Sequence, residues 1–199
     1  QDAGVVALDE HDLEAVMASG AAGRQVVLLV PTTACLITRL AVSRQQLRQI
    51  GEEEVLLLLD DQSLTPAEKL HGVFTPISDT HVDVAAIDAQ QLQSLLEPFK
   101  ASGCQLVAAI PDIFLLPANP RGWTLVVDAL DCWLRTSATS GVRLEAVNTL
   151  PLLQSAWQEN PPASIRIHGD LPEDITAWLG TLGDAVTLEY LPEQSWTGE

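Results

Sequence analysis

The sequence predicts an α/β fold in which mixed sheets are flanked by helices. Short apolar runs typical of strands recur along the chain, and many are separated by segments with capping residues and helical periodicity. Some neighbouring runs are close enough to form hairpins, whereas others are separated by a helix, as in βαβ units. The predicted strands are 25–30, 34–42, 72–78, 81–87, 104–110, 122–128, 130–136, 163–168 and 184–190.

Helix boundaries are predicted from capping residues that precede apolar positions on one face. Ser43 and Gln46 form an S-x-x-Q capping box ahead of Leu47, and a helix over 149–159 ends before Pro161. Three further helices are predicted to begin at Thr65-Pro66-Ala67-Glu68, at Asp88 with Gln91 (ending at Gly103), and at Asp170 with Glu173.

Two hairpins and one connection organise these elements. Strands 25–30 and 34–42 are predicted to pair, as are 122–128 and 130–136. The proline-rich segment 111–122 is predicted to connect two halves. The sequence therefore predicts an N-terminal lobe and a C-terminal lobe, spanning 1–110 and 111–199 respectively.

The charge of the chain restricts its partners. Its formal net charge is −17, from 27 acidic and 10 basic residues. Phosphate backbones and anionic lipid surfaces would repel such a chain, which argues against direct binding of nucleic acid or of a membrane surface. A basic protein surface is the favoured partner, and a charged surface without an electrostatic task is the alternative.

Residues that could carry catalysis or bind metal are scattered. The histidines lack metal-ligand spacing, the cysteines form no C-x-x-C, and neither G-x-S-x-G nor a P-loop motif is present. The apolar runs VVLLV and VLLLL are far shorter than the about 20 residues of a membrane helix. We therefore predict no catalytic residue, metal or cofactor. The residues concerned are His11, His71, His81, His168, Cys35, Cys104 and Cys132.

The stretch GWTLVVDALDCWLRTS, residues 122–137, raises the question of a phosphate site, because nucleotide-binding folds often place a phosphate at a turn between two strands. Such a turn needs glycines so that backbone N–H groups can approach the anion. This turn has none, and Asp128 and Asp131 would repel a triphosphate in the absence of a cation. We therefore predict an ordinary hairpin turn without a nucleotide.

Five segments, in this order, resemble the cytoplasmic domain of the type II secretion system protein L family. Within them, Leu59-Asp60-Asp61-Gln62 resembles an acidic step of the family, and Leu70-His71 is expected to close the following helix. Gly51 stands where the family often has proline and should still break the helix. The segments are VVLLVPTTACLITRLAV, SRQQLRQIGEEEVLLLLDDQSLTPAEKLHGVF, VDVAAIDAQQLQSLLEPFKASGCQLVAAIPDIFLLP, GWTLVVDALDCWLRTSATSGVRLE and SIRIHGDLP.

The resemblance implies a degenerate actin-like (ribonuclease-H-like) fold that has lost its nucleotide site. It implies a non-catalytic adaptor that binds the N-terminal domain of the secretion ATPase. The adaptor would tie that ATPase to other platform proteins at the cytoplasmic face of the bacterial inner membrane. A transmembrane helix and a periplasmic domain are expected after the C-terminus. Family members usually carry another strand before the region that matches DAGVVALDE, and whether this chain lacks that strand is left open. Homodimerisation is left open.

An adaptor needs an exposed surface that the core does not use. The acidic cluster Glu52, Glu53, Glu54, Asp60 and Asp61 could meet a basic partner. The acidic stretch 170–199 could do the same. Affinity should come from aromatic or arginine anchors. The anchors considered are Arg135, Trp196, and, with a core position favoured for both, Trp157 and Trp178.

Two other functions remain as alternatives. One is an actin-like or sugar-kinase-like ATPase with divergent phosphate loops, which nucleotide binding would reveal. The other is a pilus-assembly adaptor of the same fold, which would bind a short peptide from a membrane partner and usually keeps phosphate-loop glycines.

Overall fold

The computed structural model of the protein describes residues 25–101, 104–127 and 130–191. These ranges contain ten strands, four α-helices and six 3-10 turns. The helices are α1 (Arg44–Leu56), α2 (Ala89–Ala101), α3 (Thr149–Glu159) and α4 (Glu173–Thr181). The strands are β1 (Gln25–Val30), β2 (Cys35–Leu40), β3 (Leu70–Pro76), β4 (Val82–Asp88), β5 (Gln105–Pro111), β6 (Gly122–Val127), β7 (Asp131–Arg135), β8 (Gly141–Glu145), β9 (Ser164–His168) and β10 (Thr187–Leu191).

The largest sheet has five strands in the order β10-β9-β6-β7-β8. Strands β6, β7 and β8 form an antiparallel meander, and β9 and β10 continue the sheet in parallel with β6. Helix α4 connects the parallel neighbours β9 and β10, and helix α3 carries the chain from the edge strand β8 to β9 on the other side of β6. This order is that of a ribonuclease-H-like sheet, and it confirms both the predicted hairpin of 122–136 and the predicted βαβ crossover.

The predicted hairpin between 25–30 and 34–42 is wrong. Strand β1 pairs in parallel with β5, while β2 pairs in antiparallel with β4 in a three-stranded sheet of order β2-β4-β3. The reason lies in the link between them, because Pro31 is followed by a 3-10 turn over Thr32–Ala34 that redirects the chain. The Thr32 backbone N–H and hydroxyl both donate to Asp112 Oδ1, at 3.0 and 2.5 Å, which fixes the end of β1 beside the end of β5.

Helix α1 begins at the predicted capping box. The Ser43 hydroxyl accepts from Gln46 N at 3.1 Å, and Gln46 Oε1 accepts from Ser43 N at 2.9 Å. The helix breaks at Gly51, whose φ of 81° and ψ of 167° are outside the helical region and suit glycine. The helix break predicted at Gly51 is therefore present, and residues 52–56 form a second helical segment that continues into a 3-10 turn over Leu57–Leu59.

Three other local predictions need correction. The box at Thr65 opens only a 3-10 turn, Ala67–Lys69, because Leu70 already begins β3 rather than closing a helix. Helix α4 starts at Glu173 after Pro172, without a side-chain cap from Asp170. Strand β8 was not predicted. The Asp88 cap is present, since its carboxylate accepts from Gln91 N at 2.9 Å, whereas Gly103 lies outside the described residues.

The main core lies around the five-stranded sheet. Trp123 on β6 is 2% exposed, and its ring meets Trp157 edge-on at a centroid distance of 6.4 Å. Trp157 meets Trp178 in the same way at 6.3 Å. The tryptophans of α3 and α4 thus pack against the sheet, as their helical spacing predicted. The buried members of this core include Leu125, Leu134, Leu153, Ile165, Ile167, Ile175 and Leu179.

Candidate functional site

The predicted partner-binding acids lie at the surface of one short stretch. Glu52, Glu53 and Glu54 are exposed on the second segment of α1, and Asp60 and Asp61 are exposed in the turn that follows. Among the described residues none of the five forms an ion pair within 4.0 Å. Their charges are therefore available to a partner.

Some of these acids also have a local structural role. Because Gly51 breaks the helix, the glutamates occupy the first turn of a new helical segment, where negative charge is favourable. Asp60 Oδ1 accepts a hydrogen bond from Ala67 N at 3.1 Å, which holds the turn before β3. The presence of these acids is therefore not sufficient evidence for a partner-binding surface.

The stretch also exposes three leucines that the sequence analysis did not single out. The side chains of Leu57 and Leu58 are 54% and 51% exposed, and Leu64 is fully exposed. In the same run, Val55, Leu56 and Leu59 are buried. The buried residues on either side of the exposed pair are one helical turn apart, so the 3.6-residue period within VLLLL was the signal that could have identified the outward pair. We call the eight residues Glu52, Glu53, Glu54, Leu57, Leu58, Asp60, Asp61 and Leu64 the acid–leucine surface.

Hydrogen bonds hold the turn that carries this surface in place. The backbone N–H groups of Gln62 and Ser63 donate to Leu59 O at 2.8 and 2.9 Å. Gln62 Oε1 accepts from the Thr38 hydroxyl on β2 at 2.9 Å. The Ser63 hydroxyl accepts from Thr65 N at 3.1 Å. A partner would therefore meet a largely preformed surface, which lowers the entropy cost of binding.

The region of the predicted hairpin turn contains an ion-pair cluster. Asp128 and Ala129 lie outside the described residues, but Asp131 is described. Arg143 on β8 donates to Asp131 at 2.9 Å and to Asp112, which follows β5, at 3.0 Å. Its guanidinium carbon also lies 4.8 Å from the centre of the Trp133 ring. The hydrogen bond to Asp131, followed by the charges of both carboxylates, raises the pKa of Arg143.

This cluster bears on the nucleotide question. The positive charge of Arg143 is engaged by two carboxylates of the same chain, so a triphosphate would have to displace them. The sequence analysis missed Asp112 and Arg143 because it paired β1 with β2. A correct pairing of β1 with β5 would have placed the chain after each strand, and hence Thr32 and Asp112, at one edge of the sheet.

Arg135 is not an exposed anchor. It is 9% exposed, and its guanidinium donates to the carbonyl oxygens of Ser137, Phe114, Leu116 and Ala138. Burial lowers its pKa. Trp157 and Trp178 pack against the core, and Trp196 lies outside the described residues. Of the acidic stretch 170–199, only the part up to Leu191 is described.

Other chemistry finds little support in the part of the chain that the structure describes. No group of three metal-ligating side chains occurs within it, and no helix there is long and apolar enough to cross a membrane. Cys35 and Cys132 form no disulfide bond, and burial is the main cause that raises the pKa of their thiols to about 11. Such thiols are weak nucleophiles at neutral pH.

The order of the five-stranded sheet defines the class of the protein as a degenerate actin-like, ribonuclease-H-like α/β domain. More particularly, the chain belongs to the type II secretion system protein L family. The family model for "Type II secretion system (T2SS), protein L" matches residues 4–192.

Individual relatives agree with this assignment. The chain is 28% identical over 193 residues to type II secretion system protein L of Pectobacterium carotovorum subsp. carotovorum, covering 85% of this chain and 45% of the relative. It is 29% identical over 151 residues to the Vibrio cholerae protein L, covering 75% of this chain and 36% of the relative. The chain therefore spans less than half the length of these relatives.

Solved structures confirm the fold. The cytoplasmic domain of EpsL, an inner-membrane component of the type II secretion system of Vibrio cholerae, matches with a TM-score of 0.75 at 22% identity, covering 94% of this chain and 76% of that chain. A chain of the PilM–PilN type IV pilus biogenesis complex matches with a TM-score of 0.56 at 18% identity, with the same two coverages. The expected fold class is thus confirmed, at identities that carry no further conclusion.

Proposed function

We propose that this domain is a non-catalytic adaptor that binds the N-terminal domain of the type II secretion ATPase. It would hold that ATPase at the cytoplasmic face of the bacterial inner membrane, together with other platform proteins. Membership of the protein L family supports this proposal, as does the description of EpsL as an inner-membrane component.

The acid–leucine surface is the observation that carries the proposal. Leu57, Leu58 and Leu64 expose large apolar side chains within eight residues, and five exposed acids lie in the same stretch of chain, 52–64. An exposed apolar cluster rimmed by polar residues is typical of a protein interaction site. The leucines are the stronger evidence for a docking surface. Some of the acids already have a local role, at the start of a helical segment or in the hydrogen bond to Ala67 N, whereas the exposure of the leucines contributes nothing to the fold.

The two residue types would act differently on binding. Burying exposed leucines against an apolar partner face supplies affinity, at roughly 25 cal/mol for each Å² removed from water. Exposed acids mainly raise the association rate and fix orientation, and each adds little affinity. We therefore expect the ATPase domain to present an apolar patch rimmed by lysine or arginine. We place this contact in the N-terminal lobe, 1–110, and propose that the lobe 111–199 supports it.

A titration tests the docking surface. The measurement is the association rate, dissociation rate and affinity of the 199-residue chain for the purified N-terminal domain of the cognate secretion ATPase, by surface plasmon resonance at two salt concentrations. We expect Leu57→Ser with Leu58→Ser to weaken binding by at least tenfold, largely through faster dissociation. Glu52→Lys, Glu53→Lys and Glu54→Lys together should slow association and reduce its salt dependence.

A matched control separates local charge from total charge. Glu97, Glu145 and Glu159 are also exposed acids, and they lie outside both the acid–leucine surface and the acidic stretch 170–199. Reversing all three to lysine changes the net charge by the same amount as reversing the three glutamates of α1. If both triple variants lose the same affinity, or if neither the leucine nor the glutamate changes affect it, this surface is not the docking site.

Nucleotide binding tests the non-catalytic part of the proposal. We expect Mg-ATP at 1 mM to leave the melting temperature unchanged, because Arg143 is already engaged by Asp112 and Asp131. A ligand at about 100 times its Kd would stabilise the folded state by about 2.7 kcal/mol, which thermal unfolding detects easily. A shift that fits micromolar affinity would instead support the ATPase alternative.

A further inference from the structure

We propose that the open edge of strand β5, with the groove beside it, binds an extended apolar segment of a partner protein, which adds to β5 as a further strand. The groove has a volume of about 330 Å³ and is lined mainly by residues of β5, β3, β4 and helix α2. We call it the β5 groove. It shares no lining residue with the acid–leucine surface, so it is a second site and does not depend on the docking proposed above.

Strand β5 has one neighbour among the described residues. It pairs in parallel with β1, and no other described strand pairs with it. Within the described part of the chain, the N–H and C=O groups along its other edge therefore have no strand partner. Such an edge is a template for another strand, and peptides that bind by strand addition use it.

The β5 groove follows this edge rather than one face of the strand. Four consecutive residues, 106–109, line it, although successive side chains of a strand point to opposite faces. Val107 lies at a bulge and has no partner in β1. The next two residues, Ala108 and Ala109, are exposed. Their small side chains leave the backbone of β5 within reach of the main chain of a peptide.

The lining of the β5 groove is apolar. Val73 on β3 and Val107 on β5 both line it, and they are 59% and 48% exposed. No carboxylate, lysine or arginine lines it, and its only ionisable side chains are those of Cys35 and His71. Exposed apolar side chains gathered in a concave surface are typical of a binding site. The occupant should therefore be apolar where it lies in the groove.

The form of the β5 groove selects its occupant. Strands β3 and β4 and helix α2 of the same chain border the edge of β5, which leaves room for one extended chain. A second copy of this chain would bring its own β3 and α2 against the same edge. A strand turns every second side chain to the same face. We therefore expect a segment of about six residues, roughly 20 Å long, with apolar residues at alternate positions.

Charge restricts this segment further. The formal net charge of the chain is −17, which repels acidic peptides. Hydrogen bonds between the two main chains would supply affinity, and the alternate apolar side chains would supply specificity. The partner should thus present uncharged apolar residues to the groove, with basic rather than acidic residues on either side of them.

Peptide selection tests the proposal. The probe is a library of random peptides of about twelve residues displayed on phage. They are selected against the full 199-residue chain in about 0.5 M salt, so that binding through charge alone is suppressed. We expect enriched peptides to carry apolar residues at alternate positions, and a synthetic copy to bind the chain in fluorescence anisotropy. A selection that enriches no such pattern would overturn the proposal.

Methylation of the peptide backbone reports strand addition directly. In a strand at the edge of a sheet, the N–H groups of alternate residues face the neighbouring strand. We expect N-methylation of one alternate set to weaken binding about tenfold or more, because it removes the hydrogen bonds to β5. N-methylation of the other set should weaken it less than about threefold. Equal losses for both sets would contradict strand addition.

Three valine variants locate the bound peptide. Val107→Asp and Val73→Asp each place a charge in the β5 groove and should weaken binding about tenfold or more. Val27→Asp is the matched control, because Val27 on β1 is 46% exposed and does not line the groove. All three side chains are exposed, so the variants should melt close to the wild-type temperature in circular dichroism.

Other outcomes of the variant series would overturn the proposal. Equal losses in Val27→Asp and Val107→Asp would show that the added charge acts through the whole chain. A peptide that binds Val107→Asp normally, but not Leu57→Ser with Leu58→Ser, would lie on the acid–leucine surface. A wild-type dimer that Val107→Asp dissociates in sedimentation velocity would assign the edge of β5 to a second copy.

Discussion

The five-stranded sheet and the two smaller sheets of residues 25–111 use their apolar residues in different ways. On one face of the large sheet, the strands and helices α3 and α4 share one continuous core that includes three tryptophans in edge-to-face contact. Residues 25–111 instead divide their apolar residues between separate clusters, one under the three-stranded sheet and one beside β1 and β5. The large sheet therefore buries most of its apolar side chains in one cluster, whereas residues 25–111 bury theirs in separate, smaller clusters.

Exposed apolar surface follows the same division. Of the thirteen large apolar side chains that are exposed in the described residues, eight precede residue 111. They include the leucines of the acid–leucine surface, together with Val27 on β1 and Val107 on β5. A region that does not bury all its apolar residues keeps surface for partners, whereas a continuous core gives a stable support. We infer that binding lies mainly in the first region and stability mainly in the second.

A matched pair of leucines should show the largest effect. Leu125 is fully buried and lies on β6, a strand with neighbours on both sides. Leu28 is 8% exposed and lies on β1 of the two-stranded sheet. We expect Leu125→Ala to lower the free energy of unfolding by about 4–5 kcal/mol and Leu28→Ala by about 2–3 kcal/mol, because a rigid core relaxes less around a cavity. Urea unfolding followed by circular dichroism measures both. Equal losses would show that the two cores are equally rigid.

The run VLLLL allows the same comparison over one turn of chain. Leu59 is fully buried and Leu57 is 54% exposed. We expect Leu59→Ala to lower the free energy of unfolding by about 3 kcal/mol, while Leu57→Ala and Leu58→Ala change it by less than about 0.5 kcal/mol. The two surface variants are also controls for the docking experiment, because they must fold normally. A loss above 1 kcal/mol for either of them would assign the exposed leucines to the fold.

Sequence reasoning recovered the parts of the fold that depend on local signals. The capping box at Ser43, the break at Gly51 and the hairpin of β6 and β7 each need only a few adjacent residues, and each is present. The pairing of β1 with β5 could not be found in this way, because about 80 residues separate the partners. Its absence from the prediction also hid the cluster of Arg143 with Asp112 and Asp131. At the candidate site, the acids could be identified because they are adjacent in the sequence. The exposure of the leucines could not, because it depends on which face of their segment packs against the core.

Arg135 joins the two regions and should show an intermediate effect. Its guanidinium donates to the carbonyl oxygens of Phe114 and Leu116, in the link between the sheets, and to those of Ser137 and Ala138 after β7. Arg135→Met keeps the packing against Phe114 but leaves these carbonyls without a donor. We expect a loss of about 1–3 kcal/mol in urea unfolding. Arg135→Lys should recover part of it, since an ammonium can still donate to some of the four, and a methionine variant as stable as the wild type would show that these hydrogen bonds contribute nothing to stability.

The smallest expected effect lies at the start of α1. The Ser43 hydroxyl accepts from Gln46 N, so Ser43→Ala removes one cap hydrogen bond, and we expect a loss of about 1 kcal/mol. Gln46→Ala removes only the reciprocal bond to Ser43 N and should cost less. Hydrogen exchange of the α1 amides is the sharper measurement, because a cap defect should speed exchange there and leave β6 and β9 unchanged. Equal acceleration in the large sheet would mean that the two regions open as one unit, and the division between a binding region and a supporting region would then have no counterpart in stability.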